Sequence, residues 1–502
     1  MMRKKNIEKQ LYSMKTWAFT MKKPFSMLAV CILTAMIPLL LANFNYLDDL
    51  GRVAIGYREW GNYSRYISEY GSILVHAGTH LTDISPLPQI LAALIMAAAG
   101  VVTICCLKKE KSVTAVDIAA VLPLAISPYF LECLSYKFDA PYMAFSVLVS
   151  VLPVLVYRCR GRTAAFWLTS IVSTLLMCLS YQASSGIFPM LIVLTAFSLW
   201  NHGQAKEAFH LAWQAALCYL AGLLIFWFAC MPDIDTYVTT SILPLPELIP
   251  GFFAQLHRYA QLILSDFKKI WLLLIALLFF FFVLVCVRDS KQNRFLAFLV
   301  CGITLALASA LAFGVYPALS VALEEPRAMF GFGALIAFVA VSIVGAKRTV
   351  LPRLCAFALS WCFFTFAFTY GNALIEQKRF AESRIQLVLQ DLNELPLMND
   401  GNFRVVAING DVGYAPVVDR IPDNQGILSR LVPTLFSGND WGENYIYCFY
   451  GIKNIAMLED GSYVLDEMDI TELDLPVIKD TMFHTIRGDH QYIVIDLKNV
   501  GN

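Results

Sequence analysis

The chain has 502 residues, 58% of them hydrophobic and only 15% charged, against about 25% charged in ordinary soluble domains. With a mean hydropathy of +0.61, most of that apolar surface has to meet lipid. Lys+Arg and Asp+Glu both number 38, so no basic excess points to nucleic acid and no acidic balance points to a solvating tail. The 13 cysteines show no C-x-x-C or zinc-ribbon spacing, and Cys31, Cys178, Cys218, Cys301 and Cys362 lie inside apolar runs. They read as small core hydrophobes, as do the adjacent Cys105 and Cys106, and not as a disulfide framework.

A helix needs about 20 apolar residues to cross about 30 Å of hydrocarbon. Eleven stretches meet that need, centred on residues 34, 97, 123, 148, 171, 192, 220, 278, 304, 337 and 362. The first follows Arg3, Lys4, Lys5, Lys9, Lys15, Lys22 and Lys23 and has no small-residue cleavage site, so it reads as an uncleaved signal anchor. Basic residues beside a span resist translocation, which puts residues 1–24 in the cytoplasm. Basic turns recur after every second span, at Lys108 to Lys111, Arg158 to Arg162, His202 to Lys206, Arg288 to Arg294 and Lys347 to Arg353. An odd number of spans then carries the C-terminal part to the opposite side, the periplasm of a Gram-negative host.

The expected fold is an α-helical polytopic membrane protein with a small C-terminal α/β domain. The membrane body covers residues 25–372, with long external loops at 44–86 and 231–269, and the periplasmic domain covers 373–502. In that domain an amphipathic helix is expected over Glu376–Leu395, with strands at Phe403–Ile408 and Tyr492–Leu497 bounded by Gly and Asp turns. The 231–269 loop has amphipathic pattern over Ile249–Leu264, suited to the membrane surface.

Polar residues gather on the external side. The first external loop carries Asp48, Asp49 and Arg52 directly after the first span. There a carboxylate can take a proton from an acceptor hydroxyl, and a guanidinium can hold a phosphate as it gains charge on leaving. Phosphate leaves readily, so the acid and base pair of glycoside hydrolysis is not required. The plainer reading is a solvated turn beside the membrane. Glu132, Lys137 and Asp139 crowd the start of the fourth span, where an ion pair explains Lys137 and Asp139 as well as a binding role does. Arg327 follows Glu324 and Glu325, and is read either as a phosphate ligand or as their ion-pair partner. Gln182 suits a sugar hydroxyl or a helix end. His76 and His80 are four apart with Glu69 and Asp83 close by, the spacing of two metal ligands on one helix face, but no third ligand is fixed, a wet amphipathic segment explains them as well, and no metal site is assigned. Transporters place ionisable groups or broken helices near the middle of the membrane, whereas here they collect at one rim. That favours an enzyme acting on lipid-linked substrates.

Five stretches in this order resemble the bacterial type II glucosyltransferases that modify O-antigen and convert serotype. They are Asp48-Asp49-x-x-Arg52 with Gly56 and Trp60, Ser135 to Asp139, Leu179 to Ser184, Glu325-Pro326-Arg327, and Tyr370 to Leu374 with Gln377. Where the family pattern has Gly-Arg soon after the Trp, this chain has Gly61-Asn62-Tyr63-Ser64-Arg65, and Arg65 takes that part. The resemblance implies a GT-C-like body in the bacterial inner membrane and undecaprenyl-phosphate glucose as donor. It further implies an O-antigen sugar as acceptor, and functional partners in a donor-synthesising enzyme and a flippase. It implies an inverting displacement with Asp48 or Asp49 as base. Arg52, Lys137 and Arg327 are then phosphate candidates, Trp60, Asp139 and Gln182 are candidates to shape the sugar site, and Arg65 and Glu325 are further candidate substrate-binding residues. No cofactor is required by this chemistry, and a divalent cation stays open. The competing readings are a lipid-linked glycan transporter or flippase, and a glycan-binding membrane protein without catalysis.

Overall fold

The computed structural model describes residues 21–108, 112–231, 241–346, 350–399, 405–421, 426–436, 449–450 and 470–499. The basic cluster before the first span, Lys109 to Lys111, Lys347-Arg348 and the first two residues of the expected 403–408 strand lie outside them. Among the described residues eight helices are long and apolar enough to cross a membrane: Leu87–Leu107, Ala140–Arg160, Gln182–Asn201, Ala205–Cys230, Lys269–Arg288, Arg294–Leu311, Pro326–Val344 and Val350–Glu394. The chain is therefore a polytopic helical membrane protein. Helices also occupy the three other expected centres: residues 21–35 continued by Ile37–Ala42, the pair Ala115–Ile126 and Pro128–Ser135, and the 17-residue Ala164–Ser180.

The pair is bent by 59°. Ser127 is extended there, and Pro128 supplies no N–H to continue the ladder. The bend packs closely, because a Cβ on Gly333 would stand 2.2 Å from Ser127 Oγ, so a side chain at 333 would push the two helices apart.

Two compact units emerge. The first comprises Met1–Ile37, Arg58–Thr79 and Ile84–Phe368. Its centre is the Gly331–Val344 helix, which is apolar all round and buried along nearly its whole length. Leu87–Leu107 packs along Ala140–Arg160, and its buried side chains include Ala92, Ala93 and Ala97, small residues of the kind that let helices approach. Lys269–Arg288 and Arg294–Leu311 instead leave Leu273, Phe280, Phe298 and Ile303 exposed, as suits a lipid-facing surface. The Leu245–Asp266 helix buries Tyr259 and Ile263 and exposes Leu245, Ile249, Phe253 and Leu264. It is tied to the 313–324 segment by Tyr259, which stacks on Phe313 at 4.2 Å and donates to the Leu323 carbonyl at 2.7 Å.

The second unit comprises Pro38–Tyr57, His80–Asp83 and Thr369–Asn502. Four strands, β1 (Val405–Asn409), β2 (Val477–Asp480), β3 (His484–Gly488) and β4 (Tyr492–Leu497), form a sheet in the order β1-β4-β3-β2. β1 and β4 pair in parallel, Val406 opposite Ile493, and β3 and β4 are antiparallel, Ile486 opposite Ile495. Asp489 Oδ1 closes the β3–β4 turn by accepting from the backbone N–H groups of Gln491 and Tyr492. Ile385, Val388, Leu392 and Leu395 recur at helical spacing and bury against Val406, Ile408, Ile486, Ile493 and Ile495. Residues 385, 388 and 392 belong to Val350–Glu394, one helix of 45 residues that contains both the expected last span and most of the expected amphipathic helix.

Candidate functional site

Polar side chains collect in two places, one in each unit. In the first unit three candidate residues stand where helices begin. Asp139 is the residue before Ala140–Arg160, Gln182 opens the turn Gln182–Gly186 that leads into Ile187–Asn201, and Arg327 lies in Pro326–Met329, just before Gly331–Val344. The turn Trp60–Tyr63 and the helix Tyr66–His76 supply the rest.

Arg65 lies over two rings, 5.2 Å from the centre of Tyr63 and 4.9 Å from that of Tyr181. Its Nε donates to Gln182 Oε1 at 3.1 Å, and Gln182 Nε2 donates to the Tyr63 carbonyl at 3.1 Å. Gln182 thus secures Arg65 to the 60–63 turn. Tyr181 donates its hydroxyl to the Arg327 carbonyl at 3.2 Å. Arg327 pairs with Glu132 at 3.4 Å and hydrogen-bonds the Tyr136 hydroxyl, while its backbone N–H donates to Glu132 Oε2 at 2.5 Å. Glu324, one of the partners expected for Arg327, pairs with Arg258. Glu325 is exposed. Both guanidiniums act on Tyr316 in the preceding loop: burial pushes its phenol up to about 12, and Arg65 and Arg327 pull the other way.

Trp60 is 1% exposed and its indole N–H donates to Asp139 Oδ1 at 2.5 Å, with Tyr142 edge-on at 5.8 Å. The pair fixes the turn that carries Arg65. Lys137 is buried beside Asp139 in the sequence, both at 5% exposure or less.

In the second unit, Asp48 precedes the helix Asp49–Ile55 and is half-buried, whereas Asp49 is wholly buried and accepts the Tyr46 N–H on Oδ2 at 3.1 Å. Tyr46 in turn donates to the Leu431 carbonyl at 2.8 Å. Arg52 is buried, its guanidinium 5.9 Å from the centre of the Tyr57 ring. Gly56 ends the helix with φ +67°, and a Cβ there would stand 2.2 Å from the His80 ring. Position 56 therefore needs glycine for both its backbone and its neighbour.

His76 and His80 do not share a helix face. The helix stops at His76, where Ala77 turns left-handed with φ 53°, and His80 lies beyond that turn against Gly56. His76 instead stacks on Phe138 at 5.5 Å. Among the described residues no group of three His, Cys, Asp or Glu side chains could hold a metal ion.

Sequence reasoning did not assign roles to Glu132, Tyr136, Tyr181 or Tyr316. Glu132 carried a signal, being a carboxylate in an apolar segment, but its partner lies 195 residues away.

The profile of the family described as Glucosyl transferase GtrII matches residues 37–344, well over half of the chain. The chain belongs to the glucosyl transferase GtrII family. It is therefore a glycosyltransferase, and with its apolar helices a membrane glucosyltransferase. Every candidate residue of this GtrII member, from Asp48 to Arg327, falls inside the match, and the four-stranded sheet falls outside it. A protein of Salmonella phage P22, described as an "uncharacterized 55.3 kDa protein in gtrB 5′ region", is 23% identical over 428 residues, covering 80% of this chain and 85% of that one. No solved structure matches.

Proposed function

We propose that this glucosyltransferase moves glucose from undecaprenyl-phosphate glucose onto a sugar of the O-antigen repeat, at the periplasmic face of a bacterial inner membrane. The observation that carries the reading is the GtrII match, which takes in a set of guanidiniums and carboxylates at the ends of apolar helices. The acceptor hydroxyl oxygen attacks the anomeric carbon as the bond from that carbon to the phosphate oxygen breaks, inverting the centre. The carboxylate takes the hydroxyl proton, and the lipid phosphate departs with the electron pair.

Asp48 is the proposed base, because it keeps solvent access while Asp49 is buried and committed to the Tyr46 N–H. Arg65 and Arg327 are proposed phosphate ligands, a role suited to planar forked donors. Arg52 and Lys137 are kept as further candidate cations, and Glu325 as a contact for the acceptor. Gln182, Asp139 and Trp60 act in this reading by holding Arg65 and its turn in place. A divalent cation could share the phosphate charge, which loss of activity with a chelator and its return with the metal would establish. The donor arrives from a synthesising enzyme and a flippase.

Mass spectrometry of O-antigen from cells with and without this chain tests the reading. One added hexose per repeat is expected. Unaltered O-antigen, with a labelled lipid crossing vesicles that contain the purified protein, would replace it with a flippase. Eleven crossings with a cytoplasmic N-terminus also belong to the proposal. A reporter fused after residue 400 should then be active only in the periplasm.

A further inference from the structure

Arg65 and Arg327 come from segments far apart in sequence, yet both are organised around one side chain. Tyr181 is 4% exposed. Its ring carries the Arg65 guanidinium at 4.9 Å, its hydroxyl holds the Arg327 carbonyl at 3.2 Å, and it stacks on Phe330 at 6.3 Å. On the far side of Arg327 stands Glu132, only 3% exposed, which grips that residue by its backbone N–H at 2.5 Å and by its guanidinium at 3.4 Å. The Arg327 side chain itself keeps 32% of its exposure.

A buried carboxylate beneath a partly exposed guanidinium fixes the direction in which the cation points. A surface pair in which both groups are wet does not. The Arg65 guanidinium and the Arg327 main chain meet on the same Tyr181 side chain, which brings the two arginines into one region of the unit. The Arg65 guanidinium lies over the Tyr181 ring, while that of Arg327 lies over the Tyr136 ring at 5.4 Å and only its main chain is held by Tyr181. Two forked cations seated on neighbouring rings suit a phosphate ester, whose oxygens accept paired N–H groups.

We infer that Tyr181 and Glu132 are positioning residues that hold Arg65 and Arg327 as one anion-binding pair for the phosphate of a polyprenyl phosphate. The inference rests on the proposed donor. Neither positioning residue touches the lipid. Tyr181 supplies a platform and a carbonyl anchor, and Glu132 sets the guanidinium.

The test is equilibrium binding of a fluorescent polyprenyl phosphate to the full chain in lipid nanodiscs, with the matching polyprenol and inorganic phosphate as competitors. Tyr181→Leu removes ring and hydroxyl, Tyr181→Phe keeps the ring, and Glu132→Gln keeps the shape but not the charge. Loss of a charge-assisted contact predicts Kd about tenfold weaker for Tyr181→Leu and Glu132→Gln, with an intermediate effect for Tyr181→Phe. The KM for donor should rise in step while kcat at saturation changes less. A purely structural role would reduce the amount of folded protein and leave the Kd of the folded fraction alone. Unchanged Kd in both Tyr181→Leu and Glu132→Gln overturns the positioning role while leaving the donor reading intact. Polyprenol competing as well as polyprenyl phosphate, or wild-type protein binding no polyprenyl phosphate, overturns the ligand class and with it the donor.

Discussion

Replacing Asp48 and Asp49 separately by Asn should give two different defects, although the residues are adjacent and chemically identical. Asp48 is half-buried, and as a general base its loss should lower kcat by about 10²–10⁴-fold while the fold is kept. Asp49 is 0% exposed and its Oδ2 accepts the Tyr46 N–H. The amide of Asp49→Asn still accepts that bond but without charge, which lowers its worth from about 1.5–3 to about 0.5–1.5 kcal/mol. Loss of the negative charge at the first turn of Asp49–Ile55 removes about 0.3–1 kcal/mol more, and relief from burying a charge works in the opposite direction. The net local cost should be about 1 kcal/mol. Two measurements separate the cases: release of undecaprenyl phosphate per enzyme under saturating donor and acceptor, and hydrogen exchange of the amides from Tyr46 to Arg52. Asp48→Asn should be slow in transfer with native exchange, and Asp49→Asn should exchange about fivefold faster and retain measurable transfer. Full transfer by Asp48→Asn would refute the assignment of the base. So would an Asp49→Asn protein that is inert yet exchanges like the wild type.

The Trp60–Asp139 bond should behave as a coupled pair. In a double-mutant cycle of Trp60→Phe and Asp139→Asn on thermal stability, a coupling of about 1.5–3 kcal/mol is expected, and additivity within about 0.5 kcal/mol would deny it. Gly56→Val should destabilise the 48–57 segment by at least about 2 kcal/mol, from left-handed strain and displacement of the His80 ring, seen as new tryptic cleavage at Arg52 or Arg58. Burial holds the His484 imidazole below its ordinary 6.5, against the pull of Asp391, whose carboxylate lies 2.8 Å from Nε2. A histidine with a depressed folded pKa favours folding while neutral, so its contribution is complete above pH 6.5 and is lost as pH falls below that value towards the folded pKa. Exchange protection of β3 and β4, corrected for intrinsic rates, should therefore drop between pH 7 and 5 in the wild type and less steeply in His484→Gln. Equal slopes would refute the assignment.

What the sequence made legible follows from where apolar residues dominate. Helices occupy all eleven expected centres because lipid demands uninterrupted apolar runs. β1 and β4 were readable because Val405 to Ile408 and Tyr492 to Leu497 are dense in β-branched residues. β2 and β3 were not, because Lys479, Asp480, His484 and Arg487 dilute their pattern with charges that are satisfied across the sheet or against the helix, as in Arg487 with Asp496 and Lys479 with Asp391. The histidine spacing left two readings open because periodicity does not reveal that Ala77 would end the helix in a left-handed turn. In the site, single residues were readable and their partners were not. Arg327 stood out as a cation, but its pairing with Glu132 and its link to Tyr181 depend on packing among helices distant in the chain.

The Glu132–Arg327 contact also bears on the order of assembly. A ribosome delivers the Glu132 segment 195 residues before the residue that neutralises it. A lone carboxylate costs up to about 3 kcal/mol at the centre of a spanning helix and less towards its end, where Glu132 lies, but the bent Ala115–Ser135 pair is already a poor candidate to enter lipid alone. Until the Pro326–Val344 span is made, that segment has to wait at the translocon or at the membrane boundary, or carry its proton. Biogenesis of the first unit is then gated late, and truncation before residue 326 should leave the earlier spans exposed to membrane proteases even though most of them are complete.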